Sequence, residues 1–491
     1  MSEQPYEPLE GVDLAKGLPM FSGSDPEALE REKALLRGVQ SKGVLARWRT
    51  YLGLTGPGWL QSAMTLGAGS SAASLFAGAI FGYQLLWVQP VAMLLGVIML
   101  SAMVHQTLST GCRPFDAMRR HVHPALAWTW AIAALTSTVI WHIPQYALAA
   151  GMTEDMIKAV TKVQYGEGVQ QLVLLLLGAI FLAISITVTW SYGSGHKGVR
   201  LYERTLKGFV WLIIIAFAVV VAHRTWAGAI RWGDVLRGFI PKWPTIEYAG
   251  QEKYTSSVVV GAFASAVGIN MTFLFPYTLL ARGWGREHRG LGTFDLFTGM
   301  LIPYSMATGL IIVATGATLY GTGAMQAVID HGQLSPTAAA SMLQEAGVPL
   351  LISRIVFGLG ILGMVLSSIT MQMLVAGFAV CEMFGIEPGG RLYKWACLIP
   401  APAFLGVLFW KKMSFWIAIP TSAICGVMLP IAYIAFFLLN NSRRYLGQDK
   451  PSGTRGLVWN AAMLVALALS VAAAVIYTYF QVSKLAAKLS G

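Results

Sequence analysis

The sequence predicts an all-α polytopic membrane protein of about eleven transmembrane helices, arranged as an inverted five-plus-five repeat with broken helices one and six. Three observations predict it. The 491 residues are 55% hydrophobic and only 12% charged, and their mean hydropathy is +0.60, far from soluble globular usage of roughly a quarter charged residues. Within the first apolar span, Gly67, Gly69, Ser70 and Ser71 fall near the centre, where glycine costs helix stability and serine competes for backbone hydrogen bonds. Within the sixth, Gly268, Asn270 and Thr272 precede Pro276, a residue that removes one backbone bond and crowds the preceding turn.

Residues 1–50 are polar, with an acidic start and a basic end (Arg31, Lys33, Arg37, Lys42, Arg47, Arg49), and hold no apolar run that would serve as a cleaved signal. They read as a cytoplasmic N-terminal arm. With about 20 residues per crossing, spans follow near 55–82, 84–108, 124–151, 168–191 and 206–223, the first five-helix repeat occupying 51–223. An extracytoplasmic loop covers 224–254. A second repeat at 255–440 holds spans near 255–281, 292–320, 348–384, 393–410 and 413–439, and residues 441–491 add a loop and a last helix near 457–481. Placing the N-terminus inside puts Arg113, Arg119 and Arg120, then Lys197, Arg200, Arg204 and Lys207, then Arg282, Arg286 and Arg289 in inside loops, as the positive-inside rule requires. Lys411 and Lys412 fall on the wrong side of this scheme.

The net charge of +12 is accounted for by these orientation loops, so nucleic acid is not a partner; the lipid bilayer is. Cys112, Cys381, Cys397 and Cys425 lack CxxC or CxxH spacing and read as packing residues. No P-loop, GxSxG or HExxH is present, no loop is long enough for a nucleotide-binding domain, and the chain reads as neither an enzyme nor a cofactor protein.

A helix broken at bilayer depth leaves backbone groups that survive only when buried in protein or lining a polar cavity, and in carriers that cavity is the substrate site. The candidate substrate-binding residues are therefore Gly67, Gly69, Ser70 and Ser71 of the first span with Asn270, Met271 and Thr272 of the sixth. The competing reading, small residues for helix packing and a simple proline kink, explains each break alone but not their matched positions.

The residues also carry a family resemblance. GPGWL, a small-residue break and then AGAIFGYQLLWV resemble the first helix of the Nramp family of divalent-metal transporters; LSSITMQMLVAGFAVCEMFG resembles its eighth, and MLPIAYIAFFL its tenth. The resemblance spans about residues 53–440 and implies a LeuT-type fold, alternating access and a metal-cation substrate. The family's metal-binding motifs are absent at the matching positions. Its Asp-Pro-Gly-Asn aligns with Gly67, Ala68, Gly69 and Ser70, its Met-Pro-His with Thr272, Phe273 and Leu274, and its helix-ten glutamine with Met428. The acidic pair associated with proton movement aligns with Val139 and His142. The resemblance thus implies a transporter with an altered or lost transition-metal site and no proton coupling.

Without a carboxylate, dipoles alone must offset the desolvation of a divalent ion. The substrate is then a small ion that keeps much of its water, as Mg²⁺ does, or a polar organic solute, moved by a secondary carrier or by a channel or uncoupled facilitator; a non-transporting relative is the third class. No metal ligand set is assigned. His142 is the possible proton-linked group, set against a neutral imidazole bonded to a carbonyl freed by Pro144. His105 reads as interfacial, and Glu382 as an exposed or gate-side group. The expected location is a prokaryotic inner membrane.

Overall fold

The computed structural model describes residues 26–192, 196–331, 334–409 and 418–490. Lys411 and Lys412 lie outside them, as does the acidic start of the arm. The chain is an integral membrane protein, and the regular structure of its described residues is helical. Two short helices open it, α1 (Pro26–Gln40) and α2 (Val44–Leu54), and the first span follows as α3 (Pro57–Thr65) and α4 (Ala68–Phe81), bent by 59° at the break. Then come α5 (Val88–Thr110), the short α6 (Pro114–His121), α7 (Pro124–Thr161), α8 (Glu167–Tyr192), α9 (His196–Trp226) and the loop helix α10 (Trp232–Arg237). The sixth span is also split, into α11 (Glu252–Ala266) and α12 (Ile269–Ala281).

Span seven runs from α13 (Arg289–Asp295) through one π-helical turn (Leu296–Leu301) into α14 (Ile302–Leu319). The short helices α15 (Gly323–His331) and α16 (Pro336–Glu345) lead to a second π turn (Leu351–Val356) and α17 (Phe357–Phe384). After α18 (Arg391–Ala396) and a 3₁₀ stretch (Ala401–Phe409), α19 (Ala418–Asn441), α20 (Arg443–Leu446) and α21 (Gly453–Ser490) complete the chain.

By length and composition, eight single helices among the described residues can cross a membrane, nine with the bent first pair. The remaining expected spans are the split sixth, whose halves are short, and residues 393–410. The latter is not one regular helix. Pro400 and Pro402 each remove a donor and clash with the preceding turn, so α18 ends and the backbone continues as 3₁₀.

The core is formed by α3, α4 and α12, whose residues are buried along their entire lengths, with α7, α14 and α17 packed around them. A helix apolar on every side is one enclosed by other helices. By contrast, α21 buries only 11% of its most apolar window and lies at the periphery. The four cysteines are buried and none is in a disulfide.

Both breaks sit earlier in the chain than the sequence suggests. The first is confined to Leu66 and Gly67, so Ser70 and Ser71 are helical. The second lies at Val267 and Gly268, and Asn270 to Phe273 form the first turns of α12, which accommodates Pro276 in its interior.

Candidate functional site

An unwound segment in apolar surroundings must find partners for its freed backbone groups, and each found here is a side chain. Ser70 Oγ accepts from the Gly67 amide at 3.1 Å and lies 2.8 Å from the Thr65 carbonyl; Gln145 Oε1 accepts from the Ala68 amide at 3.2 Å. From α17, Ser367 Oγ reaches the Ala63 carbonyl at 2.9 Å, and Ser368 Oγ reaches those of Met64 (3.0 Å) and Leu66 (3.2 Å). Gly67 is there for space: a Cβ would stand 2.5 Å from Ser368 Oγ and 2.9 Å from Gln145 Nε2. The two breaks meet at Thr65, whose Oγ1 is 2.7 Å from the Ala266 carbonyl and 3.0 Å from Met271 Sδ.

Between the breaks lies a cavity of about 30 Å³, room for one or two waters or a bare ion. Of the residues singled out in the sequence, Gly67, Gly69, Ser70, Asn270 and Met271 line it. Ser71 and Thr272 do not. Their hydroxyls turn back onto their own helices, to the Ala68 carbonyl at 3.0 Å and the Ile269 carbonyl at 2.6 Å, and Thr272 Oγ1 also receives the Trp130 indole N–H at 3.1 Å. The hydroxyl of a helical serine or threonine has such a carbonyl within reach, which follows once the breaks lie upstream.

The sequence reading missed Met64, Thr65, Trp141, Gln145, Ser265, Gly268 and Gln372 as lining residues. One signal was available. Gln145 and Gln372 are amides inside apolar spans, where polar side chains are expensive and mark function or helix contacts. The wall thus offers hydroxyls (Thr65, Ser70, Ser265), carboxamides (Gln145, Asn270, Gln372), two thioethers and the Trp141 indole, with no charged side chain. Among the described residues no group of three His, Cys, Asp or Glu could hold a metal ion.

His142 is fully buried beside Gln372 but does not line the cavity. Its Nδ1 pairs with the Thr138 carbonyl at 3.1 Å, so the imidazole does bond to a backbone carbonyl, though to the one four residues back on its own helix rather than the one Pro144 frees. His105 Nε2 binds the Asp449 carbonyl at 2.8 Å. Of the two readings of Glu382, exposed or gate-side, the structure overturns the first. The residue is buried, not exposed, and its carboxylate pairs with Arg113 at 3.3 Å.

Residues 58–478 match the sequence signature of the family described as natural resistance-associated macrophage protein-like. The chain belongs to the Nramp family. Curated relatives include the divalent metal cation transporter MntH of Brucella suis, 22% identical over 89% of this chain and 90% of that protein, and MntH of Mycobacterium leprae, 23% identical over 89% and 94%. Among solved structures, the Eremococcus coleocola manganese transporter shares the fold at a TM-score of 0.66 with 14% identity, covering 88% of this chain and 87% of that one. MhsT in complex with L-phenylalanine superposes at 0.56, also at 14% identity, covering 86% and 97%. The Nramp chain is therefore a LeuT-type membrane transporter, not an enzyme, with its first helix broken.

Proposed function

We propose that this protein carries a divalent metal cation across a prokaryotic plasma membrane through a neutral site, without the tight transition-metal coordination and without the proton coupling of an intramembrane acid pair. The metal reading rests on the MntH relatives, named as divalent metal cation transporters. The observation that carries the rest is the composition of the cavity wall: hydroxyls, carboxamides and thioethers, with no carboxylate. Hard oxygen donors without charge suit an ion that exchanges only part of its water, as Mg²⁺ does. With each neutral hydrogen bond contributing about 0.5–1.5 kcal/mol net, the affinity is on the order of millimolar. The basic inner loops support an N-terminus on the cytoplasmic side.

The test is flux into liposomes holding the purified protein, with Mg²⁺, Mn²⁺ and Ca²⁺ compared side by side and internal pH followed by a dye. Saturable Mg²⁺ entry without acidification, abolished by Ser70→Leu combined with Asn270→Leu in a protein of unchanged elution profile, is the expected result. Micromolar Mn²⁺ uptake with stoichiometric proton entry would overturn it. The carboxamides also suit a polar organic solute; at about 30 Å³ the cavity must widen for that solute as for a hydrated ion, and the MntH relatives favour the ion.

A further inference from the structure

The end of α3 remote from the cavity has the opposite chemistry. Asp295, the last residue of α13, is 1% exposed, and its Oδ2 accepts from the backbone amides of Gly58 at 2.7 Å and Gly56 at 3.2 Å. It thereby caps the N-terminus of α3, where free N–H groups and the helix dipole favour an anion. The approach is as close as backbones allow: a Cβ on Gly58 would stand 2.2 Å from the Asp295 carbonyl oxygen. The second carboxylate oxygen, Oδ1, is buried with no hydrogen-bond partner.

Glu203 and Lys207 of α9 and Arg282 at the end of α12 are the charged groups that face Asp295. Arg282 lies 3.5 Å from Glu203 and donates to the Leu54 carbonyl at 3.0 Å, while Lys207 reaches Thr55 Oγ1 at 3.4 Å and sits over the Trp59 ring. Around the same network, α1 brings Glu32, which receives the Trp284 indole N–H at 2.9 Å and lies 3.6 Å from Nε2 of His288, a buried histidine just before α13 that stacks on Trp284; α2 brings Tyr51, whose ring meets Phe294; and the one histidine of α5, His105, is engaged with Asp449. With Glu203 and Asp295 both ionised against Arg282 and Lys207 the cluster is balanced. A proton on Asp295 removes the anion that faces two N–H donors and a helix N-terminus, and weakens both bonds, because hydrogen bonds to an ionised acceptor are about twice as strong as neutral ones.

We propose that Asp295 is a proton-binding site that latches the first half of the broken helix. Ionised, it holds α3 against α13; protonated, it releases α3 to swing about the unwound residues Leu66 and Gly67. The nine residues of α3 are about 13 Å long at 1.5 Å per residue, so this proton sits a helix length from the cavity. It enters and leaves on one side of the membrane, and pH sets how readily that side opens without a proton travelling with the cargo.

Amide hydrogen exchange on the full chain in lipid nanodiscs, with no cargo added, tests this, rates being corrected for the intrinsic pH dependence and α4 serving as internal reference. Exchange within residues 57–65 is expected to rise at least tenfold between pH 8 and pH 5.5 in the wild type, to be fast at both values in Asp295→Asn, and to keep its pH response in Asp295→Glu and in Glu203→Gln. A wild type without pH response overturns the proposal, as does a response that survives in Asp295→Asn. Should Asp295→Asn fail to fold, Glu203→Gln and His288→Gln decide together: a response retained in both supports Asp295, and one lost in either assigns the proton to that residue and overturns the proposal. No cargo enters the readout, so failure here leaves the transport reading untouched.

Discussion

The two ends of α3 differ as sharply as any two regions of the molecule. Its C-terminal end, at Met64 and Thr65, borders a cavity walled by neutral side chains; its N-terminal end, at Gly56 and Gly58, is held by a buried carboxylate within a cluster of four charged side chains. In a low-dielectric interior charge is expensive to bury and strong once paired. This protein places its buried charge where the first half of the broken helix is anchored, and leaves dipoles at the cavity proposed for the cargo. On that proposal, the neutral site trades affinity for easy release, while α3 is anchored by ionic contacts.

Breaking the charged end has the largest expected effect. Glu203→Ala leaves the buried Arg282 without its carboxylate partner, which costs about 3–5 kcal/mol and is read as a lowered unfolding midpoint in detergent. A loss below about 1 kcal/mol would mean that the cluster does not anchor α3. Next comes the neutral end. Gly67→Ala pushes a methyl to 2.5 Å from Ser368 Oγ, an overpacking worth about 1–3 kcal/mol, and flux should fall with the cavity even where the protein still folds. The comparison is sharpened by Asn270→Asp, which installs a carboxylate in the cavity wall without changing its shape. Calorimetry should then show Mn²⁺ binding at least tenfold tighter, about 1.4 kcal/mol, and an unchanged affinity would count against the cavity as the cation site.

The smallest effect is one of pH. Partial burial pushes the Asp449 carboxyl up, but hydrogen bonds from Arg289 and Arg286 outweigh it and hold the group below its usual range. A depressed carboxylate stabilises fully above its unfolded value, near 3.9, and loses that contribution as pH falls through the lower folded value. The unfolding midpoint of Arg289→Ala should therefore differ from that of the wild type by a constant amount between pH 5 and 8, the gap closing only below about pH 4.

Much of the fold was legible because membrane spans are set by local composition: runs of apolar residues near 20 in length, separated by basic loops, leave few alternatives. The breaks were legible as glycine and serine in the wrong place, but their positions were off by a few residues. What fixes them is tertiary: Ser367, Ser368 and Gln145 come from other helices to receive the freed backbone. The same ignorance of partners placed Ser71 and Thr272 in the site and left Gln145 and Gln372 out of it. Glu382 was read as an exposed or gate-side group, and its burial was not legible because Arg113, its partner at 3.3 Å, lies 269 positions away in sequence. Asp295 drew no notice, being one acid at the start of a span with nothing local to show that it meets Gly56 and Gly58, more than 230 residues earlier.

The π turn at Leu296–Leu301 directly follows Asp295. Such a turn is an α-helix with one residue too many, and one residue in an α-helix is about 100° of rotation at 3.6 residues per turn. Deleting a single residue there would leave span seven about 1.5 Å shorter and keep α14 seated on α4, yet would rotate Asp295 by about a quarter of a circle away from the amides of Gly56 and Gly58. The surplus residue acts as a phase shifter: it lets one continuous span show one face to the upper half of the broken helix and a different face to the lower half.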